Sequence, residues 1–281
     1  MLRLFDTHTH FDVPDFDHDR LDLAKHAKKV GVEALILIGI DAEHFPNLKA
    51  TQRLLEGYEN GPKSFLAPGL HPFYIHQHEI NHLQKLEDFL KNEQCIAIGE
   101  IGLDTFLAEH KETAVFNKQK SFFSEQISLA KNYDKPVLLH IRKSFAETIQ
   151  ILKQHKFQGG GIAHAFSGGV EEAKALVKLG FKIGVTGQVT NRNAKKLHRV
   201  IQNIGVEHLV IETDCPDMTP LCCQTGQHEK TRNTPVNLPY VLEGLAHSLQ
   251  LSASETAEVV WKNSLEVLRL KNQDWSLPPI S

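Results

Sequence analysis

Eight short apolar runs, each followed by a helical pattern, constrain this chain more than any other feature. The strand-length runs are Leu2–Phe5, Ala34–Ile40, Phe65–Gly69, Ile96–Ile101, Val137–Ile141, Gly161–Ala165, Lys182–Val185 and Leu209–Glu212. Amphipathic patterns predict helices near 19–30, 45–57, 79–92, 114–133, 144–155, 170–179 and 193–203, and two more near 236–249 and 252–270. Wholly apolar strands alternating with helices imply a parallel sheet covered on both faces. Eight such units favour a single closed (β/α)8 TIM barrel over an open doubly wound sheet. No Gly-x-Gly-x-x-Gly follows the first run, which argues against dinucleotide binding. The barrel is expected to span 1–272, with 273–281, containing Pro278-Pro279, as a C-terminal tail leaving the core. Ser252-Ala253-Ser254-Glu255 carries a capping-box signature for the last helix. The stretch Pro216–Pro239 reads as one long loop after the last strand, a length more often functional than idle.

The 281 residues are 41% hydrophobic and 23% charged, and no apolar run is long enough to span a membrane. The N-terminus lacks the basic and apolar regions of a secretory signal. A net charge of −3 gives no global attraction to a polyanion, so any such ligand needs a local site. Cys95, Cys215, Cys222 and Cys223 do not form disulfide or Cys-x-x-Cys zinc spacings. A cytoplasmic monomer is the default expectation.

In a barrel, the C-terminal strand ends share one face, where active sites of this fold are built. Residues suited to binding metal collect there. His8 and His10 follow the first strand in Asp6-Thr7-His8-Thr9-His10, one pleat apart, with Asp6 on the same side and suited to orient a ligand or help hold the ion. With 17 histidines, chance gives roughly one His-x-His pair, so the motif alone decides little. Indeed His76-Gln77-His78 has the same spacing without a preceding strand and reads as a solvated loop. His71 follows strand 3, Glu100 closes strand 4, His140 and His164 end strands 5 and 6, and Asp214 ends strand 8. Such a polar cluster in apolar surroundings needs a cation or a hydrogen-bond network to satisfy it.

The inventory suits two divalent ions. His8 and His10 would hold one and His140 and His164 the other, with Glu100 bridging them. Asp214 would ligate the first ion and accept a proton from the attacking water. Two ions about 4 Å apart can generate a hydroxide and stabilise both oxygens of an in-line phosphoryl displacement. Mixed nitrogen and oxygen ligands suit zinc, manganese or cobalt, and partly hydrated magnesium is compatible.

The ordered set Asp6-x-His8-x-His10, Gly69-x-His71-Pro72, Gly99-Glu100-x-Gly102-Leu103-Asp104, Pro136-Val137-x-x-His140-x-Arg142, His164-x-Phe166-Ser167-Gly168 and Glu212-Thr213-Asp214-x-Pro216 resembles the TatD-type metal-dependent deoxyribonucleases, which are amidohydrolase-like TIM barrels. The similarity runs from residue 2 to about 270. It implies a metal-dependent phosphodiesterase, a DNase of the 3′-to-5′ exonuclease type acting on single-stranded DNA or 3′ ends. It also implies metal-ligand roles for His8, His10, Glu100, His140, His164 and Asp214, and a substrate-phosphate contact for His71. Two departures fall where substrate contacts are expected. Thr105 stands between Gly-Leu-Asp and Phe106, and the last loop is long and carries Cys222-Cys223.

Around this set, Arg142 is suited to clamp a phosphate or to pair with Glu100 or Asp104. Asp104 is suited to orient a ligand from behind. Arg232 and Asn233 are candidate substrate contacts, and Phe73, Tyr74 and Phe106 lie near the expected mouth. The same centre could instead hydrolyse another ester or an amide, such as an aminoacyl ester or lactone. A non-catalytic, metal-stabilised binding protein is the third reading.

Overall fold

A computed structural model of the chain describes residues 2–226 and 231–270; the expected tail 273–281 lies outside them. Eight strands alternate with helices: β1 (Leu4–Thr9), α1 (Arg20–Lys29), β2 (Val32–Ile38), α2 (Phe45–Glu56), β3 (Lys63–Ala67), α3 (Ile80–Asn92), β4 (Ile98–Asp104) and α4 (Thr113–Asn132). Then come β5 (Val137–Arg142), α5 (Phe145–Gln154), β6 (Gly161–Ala163), α6 (Val170–Lys178), β7 (Phe181–Val185), α7 (Lys195–Ile204) and β8 (Leu209–Ile211). Helices α8 (Leu238–Leu249) and α9 (Ala253–Val267) follow. All neighbouring strands pair in parallel, β1 to β3 in one run and β4 to β8 in a second.

Two seams close the runs into the expected TIM barrel. Between β3 and β4, the Ile96 amide donates to the Leu66 carbonyl and the Gly99 amide to Pro68, both at 3.0 Å. Gly39 and Glu100 join the same seam through Gly39 N to Gly99 O (3.0 Å) and Glu100 N to Gly39 O (3.1 Å). Backbones come so close here that a Cβ at Gly69 would sit 2.5 Å from the Gly99 carbonyl carbon, which leaves room only for glycine. Between β8 and β1, the Asp214 amide donates to His8 O and the His10 amide to Cys215 O, both at 2.9 Å.

Alternation divides the strand side chains into two apolar layers. Leu35, Leu37, Leu66, Val137, Leu139, Ile183 and Leu209 pack with the surrounding helices. Phe5, Ile36, Ala67, Leu138, Ile162 and Val210 form the inner layer, and Trp261 and Leu265 of α9 pack onto it. Two residues beyond Leu138, on the same face of β5, stands His140, and two residues beyond Ile162 and Val210, just past the ends of β6 and β8, stand His164 and Glu212. The inner layer therefore passes directly from apolar packing into the polar site.

Strand ends differ from the sequence expectation in an informative way. β1, β4 and β5 continue past their apolar runs to Thr9, Asp104 and Arg142. His8 thus lies within β1 rather than after it. β6 and β8 stop earlier than expected, at Ala163 and Ile211. Soon after, Ala165 and Asp214 take left-handed backbone angles (φ 41° and 55°) that turn the chain. Strand pairing also breaks register between Asp6 and Thr9 and between Ile98 and Ile101, the segments that carry His8 and Glu100. Such irregularities re-aim side chains beside sites. The capping box forms as expected, with Ser252 Oγ accepting from Glu255 N and Glu255 Oε2 from Ser252 N. No described helix is long and apolar enough to cross a membrane.

Candidate metal centre

Glu100 is the hub. It is 1% exposed, and its two oxygens face different histidines. Oε2 lies 3.1 Å from His8 Nε2 and 3.7 Å from His10 Nε2. Oε1 lies 2.6 Å from His140 Nδ1, 3.1 Å from His71 Nε2 and 3.8 Å from His164 Nε2. Asp214 divides its oxygens in the same way: Oδ1 is 3.7 Å from His8 and 3.8 Å from His10, and Oδ2 is 3.7 Å from His164. The six residues expected as ligands are brought together, and His71 joins them. Three ligand-type groups overlap here: His8–His10–Glu100, His8–His164–Asp214 and His71–Glu100–His140.

Hydrogen bonds behind the rings fix which nitrogen each turns to the cluster. His140 Nε2 donates to Asp104 Oδ2 at 2.9 Å, which leaves Nδ1 to face Glu100. His164 Nδ1 donates to Glu212 Oε1 at 3.0 Å, which leaves Nε2 to face Asp214. Each is a carboxylate–histidine pair of the kind that orients metal-bound imidazoles. His71 is arranged the other way. Its Nδ1 accepts the Phe73 amide at 3.0 Å, so the proton of the neutral ring sits on Nε2, pointing at Glu100. That nitrogen can donate a hydrogen bond, but has no lone pair for a metal.

Charge follows the same division. Burial pushes His8 down to about 3 and His71 down to about 4, so both are neutral at pH 7. Burial also opposes protonation of His140, but hydrogen bonds to Asp104 and Glu100 outweigh it and raise the ring to about 9. For His164 the opposing burial is overcome by the charges of Asp214, Glu100 and Glu212, and the ring rises to about 10. Burial of Glu100 is offset by the imidazoles around it, His71, His164 and His8 foremost, which hold it well below the ordinary carboxylate value. Burial raises Asp214 to about 6, against the pull of His164 and His10.

These residues fit divalent cations. Among the described residues, both ring nitrogens of His8 and Nδ1 of His10 are buried without a hydrogen-bond partner. Leaving such a group unsatisfied costs about 1–3 kcal/mol. A shared cation would satisfy the nitrogens that face the two carboxylates.

The supporting residues fall partly where the sequence suggested. Asp104 stands behind His140 as expected. Asp6 is buried, and its carboxylate is held by Thr213 through the amide (2.8 Å) and hydroxyl (2.6 Å). It thus braces the segment bearing Asp214 rather than an imidazole, and burial raises it to about 8. Arg142 is paired with neither Glu100 nor Asp104 as a close ion pair; its guanidinium lies over the exposed Phe106 ring, 3.5 Å from the centroid. Arg232 is turned away from the cluster. It pairs with Asp19 at 2.5 Å, donates to the Asp15 carbonyl and covers the Phe16 ring. Asn233 is fully buried. Its amide donates to Thr213 O at 2.8 Å and accepts from Thr234 N and Asn237 Nδ2, both at 2.9 Å. That leaves it bracing the loop and the Asp214 segment rather than facing a substrate. His78 is buried, with Nε2 donating to His71 O at 2.9 Å, instead of lying on a solvated loop.

Glu212 was not singled out from the sequence, although it precedes Asp214 by two. Its Oε1 also accepts the Ala165 amide at 2.7 Å, and Oε2 faces the Thr7 hydroxyl at 3.3 Å. An acidic residue directly after a buried apolar strand run was the available signal.

Comparison with known proteins agrees with this architecture. Residues 5–269 match the TatD related DNase family profile. The chain is 35% identical over 266 residues to YjjV, an uncharacterized metal-dependent hydrolase of Escherichia coli K12, covering 94% of this chain and 97% of the relative. It is 30% identical over 258 residues to the 3′-5′ ssDNA/RNA exonuclease TatD of Edwardsiella piscicida, covering 91% and 95%. The crystal structure of YjjV aligns with a TM-score of 0.84 at 32% identity, covering 96% of this chain and 99% of that one. The chain belongs to the TatD-related DNase family of metal-dependent hydrolases.

Proposed function

We propose that this protein hydrolyses phosphodiester bonds in DNA, removing nucleotides from 3′ ends of single strands with the help of two divalent cations. The supporting observation is the division of Glu100 and Asp214, each of which presents one oxygen toward His8 and His10 and the other toward His164, with Glu100 also meeting His140. His8 and His10 would hold one ion and His140 and His164 the other, with Glu100 shared. Zinc, manganese and magnesium are the candidate metals. When bound, the ions supply Lewis acidity that activates water and draws charge from the phosphoryl oxygens.

The remaining chemistry belongs to the side chains. Asp214, raised to about 6, is ionised at neutral pH and can take the proton from the attacking water. His71, neutral and with its proton on Nε2, donates to a phosphoryl oxygen rather than ligating metal. Asp104 and Glu212 keep His140 and His164 in one tautomer. Arg142 stacked on Phe106 at the rim offers a cationic, aromatic surface to the strand entering the site.

The test is an incubation of metal-loaded protein with 3′-labelled and 5′-labelled oligonucleotides across zinc, manganese and magnesium, beside ester and amide substrates. Immediate release of the 3′ label, with gradual shortening of the 5′-labelled strand, is expected. Ester or amide turnover without cleavage of DNA under any cation refutes the reading.

A further inference from the structure

A second group of ligand-type side chains sits on the rim, outside the Glu100 cluster. His76 lies on the connection from β3 to α3, and Glu109 and His110 lie in the single-turn helix Glu109–Lys111 between β4 and α4. One ligand atom from each comes within 4.8 Å of the other two. His76 and Glu109 are exposed, whereas His110 is 1% exposed. Its Nδ1 is buried without a hydrogen-bond partner among the described residues, and lies 3.7 Å from Asp104 Oδ1. The exposed Phe73 packs edge-on against the His110 ring at 5.5 Å between centroids.

We propose that His76, Glu109 and His110 form a further cation site at the barrel mouth, selective for zinc over magnesium. Two imidazoles and one carboxylate with an open fourth position form a zinc-type donor set. Magnesium prefers six oxygens at short, rigid distances, which this set does not offer. Ligand atoms around tetrahedral zinc lie about 3.3 Å apart, given metal–nitrogen distances of about 2.0–2.1 Å. Closing from separations of at most 4.8 Å shortens them by up to about 1.5 Å, which the exposed side chains of His76 and Glu109 can accommodate. Burial holds His110 in place as the anchor.

The site would tie the loops after β3 and β4 together above the main centre. It also touches that centre through one residue. His110 faces Asp104 Oδ1, while Asp104 Oδ2 accepts the hydrogen bond from His140. Filling the rim site therefore fixes the ring beside the carboxylate that orients His140.

Equilibrium dialysis of metal-stripped protein against micromolar free zinc, followed by elemental analysis, tests this directly. Wild type should hold one zinc more per chain than His76→Ala or Glu109→Gln, whatever number the main centre holds. The difference should vanish in magnesium. Circular dichroism should be unchanged, because both substituted side chains are exposed. A His8→Ala background should lower total zinc yet preserve the difference, which separates this site from the two-cation reading of the main centre. Equal zinc in wild type and both variants overturns the proposal, as does a difference that persists undiminished in magnesium.

Discussion

Loading the metal-free protein with divalent cations should expel more than two protons per chain at pH 7. Metal binding requires neutral imidazoles, so protons held by the ligands must leave. His164, raised to about 10, and His140, raised to about 9, are both protonated before loading. At pH 7 each retains its proton in roughly 99% of molecules or more, by the usual titration relation. Asp214, at about 6, adds roughly a tenth of a proton at pH 7 and about half a proton at pH 6. His8 and His71 are already neutral and contribute none. Burial opposes protonation of His10, but Glu100, Asp214 and Asp12 outweigh it and raise the ring above its ordinary value, so it adds a share that grows as pH falls. The count should therefore exceed two at pH 7 and rise further at pH 6. Calorimetric titration with manganese in weakly coordinating buffers of different ionisation enthalpy reads this number as a slope. Glu212→Gln, which removes one of the carboxylates that raise His164, should lower the count. A buffer-independent heat at pH 7 would mean that the imidazoles are neutral before metal arrives, and would refute the charge assignment.

Other expectations concern separate parts of the site. Glu212→Gln should weaken metal binding about 10–100-fold, because the ring behind which it stands loses its orienting carboxylate; competition with a chelator measures this. His71→Ala should leave metal content unchanged while lowering kcat/KM on oligonucleotides about tenfold or more, as expected for one lost hydrogen bond to a charged group. A loss of metal in that variant would instead make His71 a ligand. In the metal-free protein, the raised His140 and His164 add stability that is full below about 6.5 and is lost as pH rises through about 9 and 10. As pH falls below about 6.5 the lowered His8 and His71 subtract stability while the raised Asp6 and Asp214 add it, so thermal melting should change little there and fall as pH rises above about 6.5. Asn233→Ala should cost about 1–3 kcal/mol by leaving the Thr213 carbonyl and neighbouring donors without partners, measurable by urea unfolding.

The barrel was legible because its strands are buried on both faces and read as apolar runs. Their C-terminal limits were less so, for a functional reason. Thr9, Asp104 and Arg142 belong to strands, but their polarity ends the apolar pattern just where the inner face becomes the site. The six candidate ligands could be found because each falls at such an end. Their partners follow no periodic rule. Glu212 looks like the continuation of a strand, and His110 sits in a loop 30 residues before His140 in sequence. Asp12 and His44 form a 2.5 Å contact across two loops that no local pattern links. Asn233 and Arg232 show the converse: polar residues in a long loop, suited to a ligand, are used to hold the loop itself.

The α9 helix would set a limit on how a polymer is processed if the proposed activity holds. Trp261 and Leu265 pack onto the inner apolar layer, so the interior beneath the Glu100 cluster is filled rather than a channel. A strand reaching that cluster would come from the mouth, and whatever is cut off would leave by the same side. Each released unit would then compete with the incoming end for one doorway, so traffic at the rim, where Arg142, Phe106 and Phe73 stand, would govern how many cuts follow one encounter.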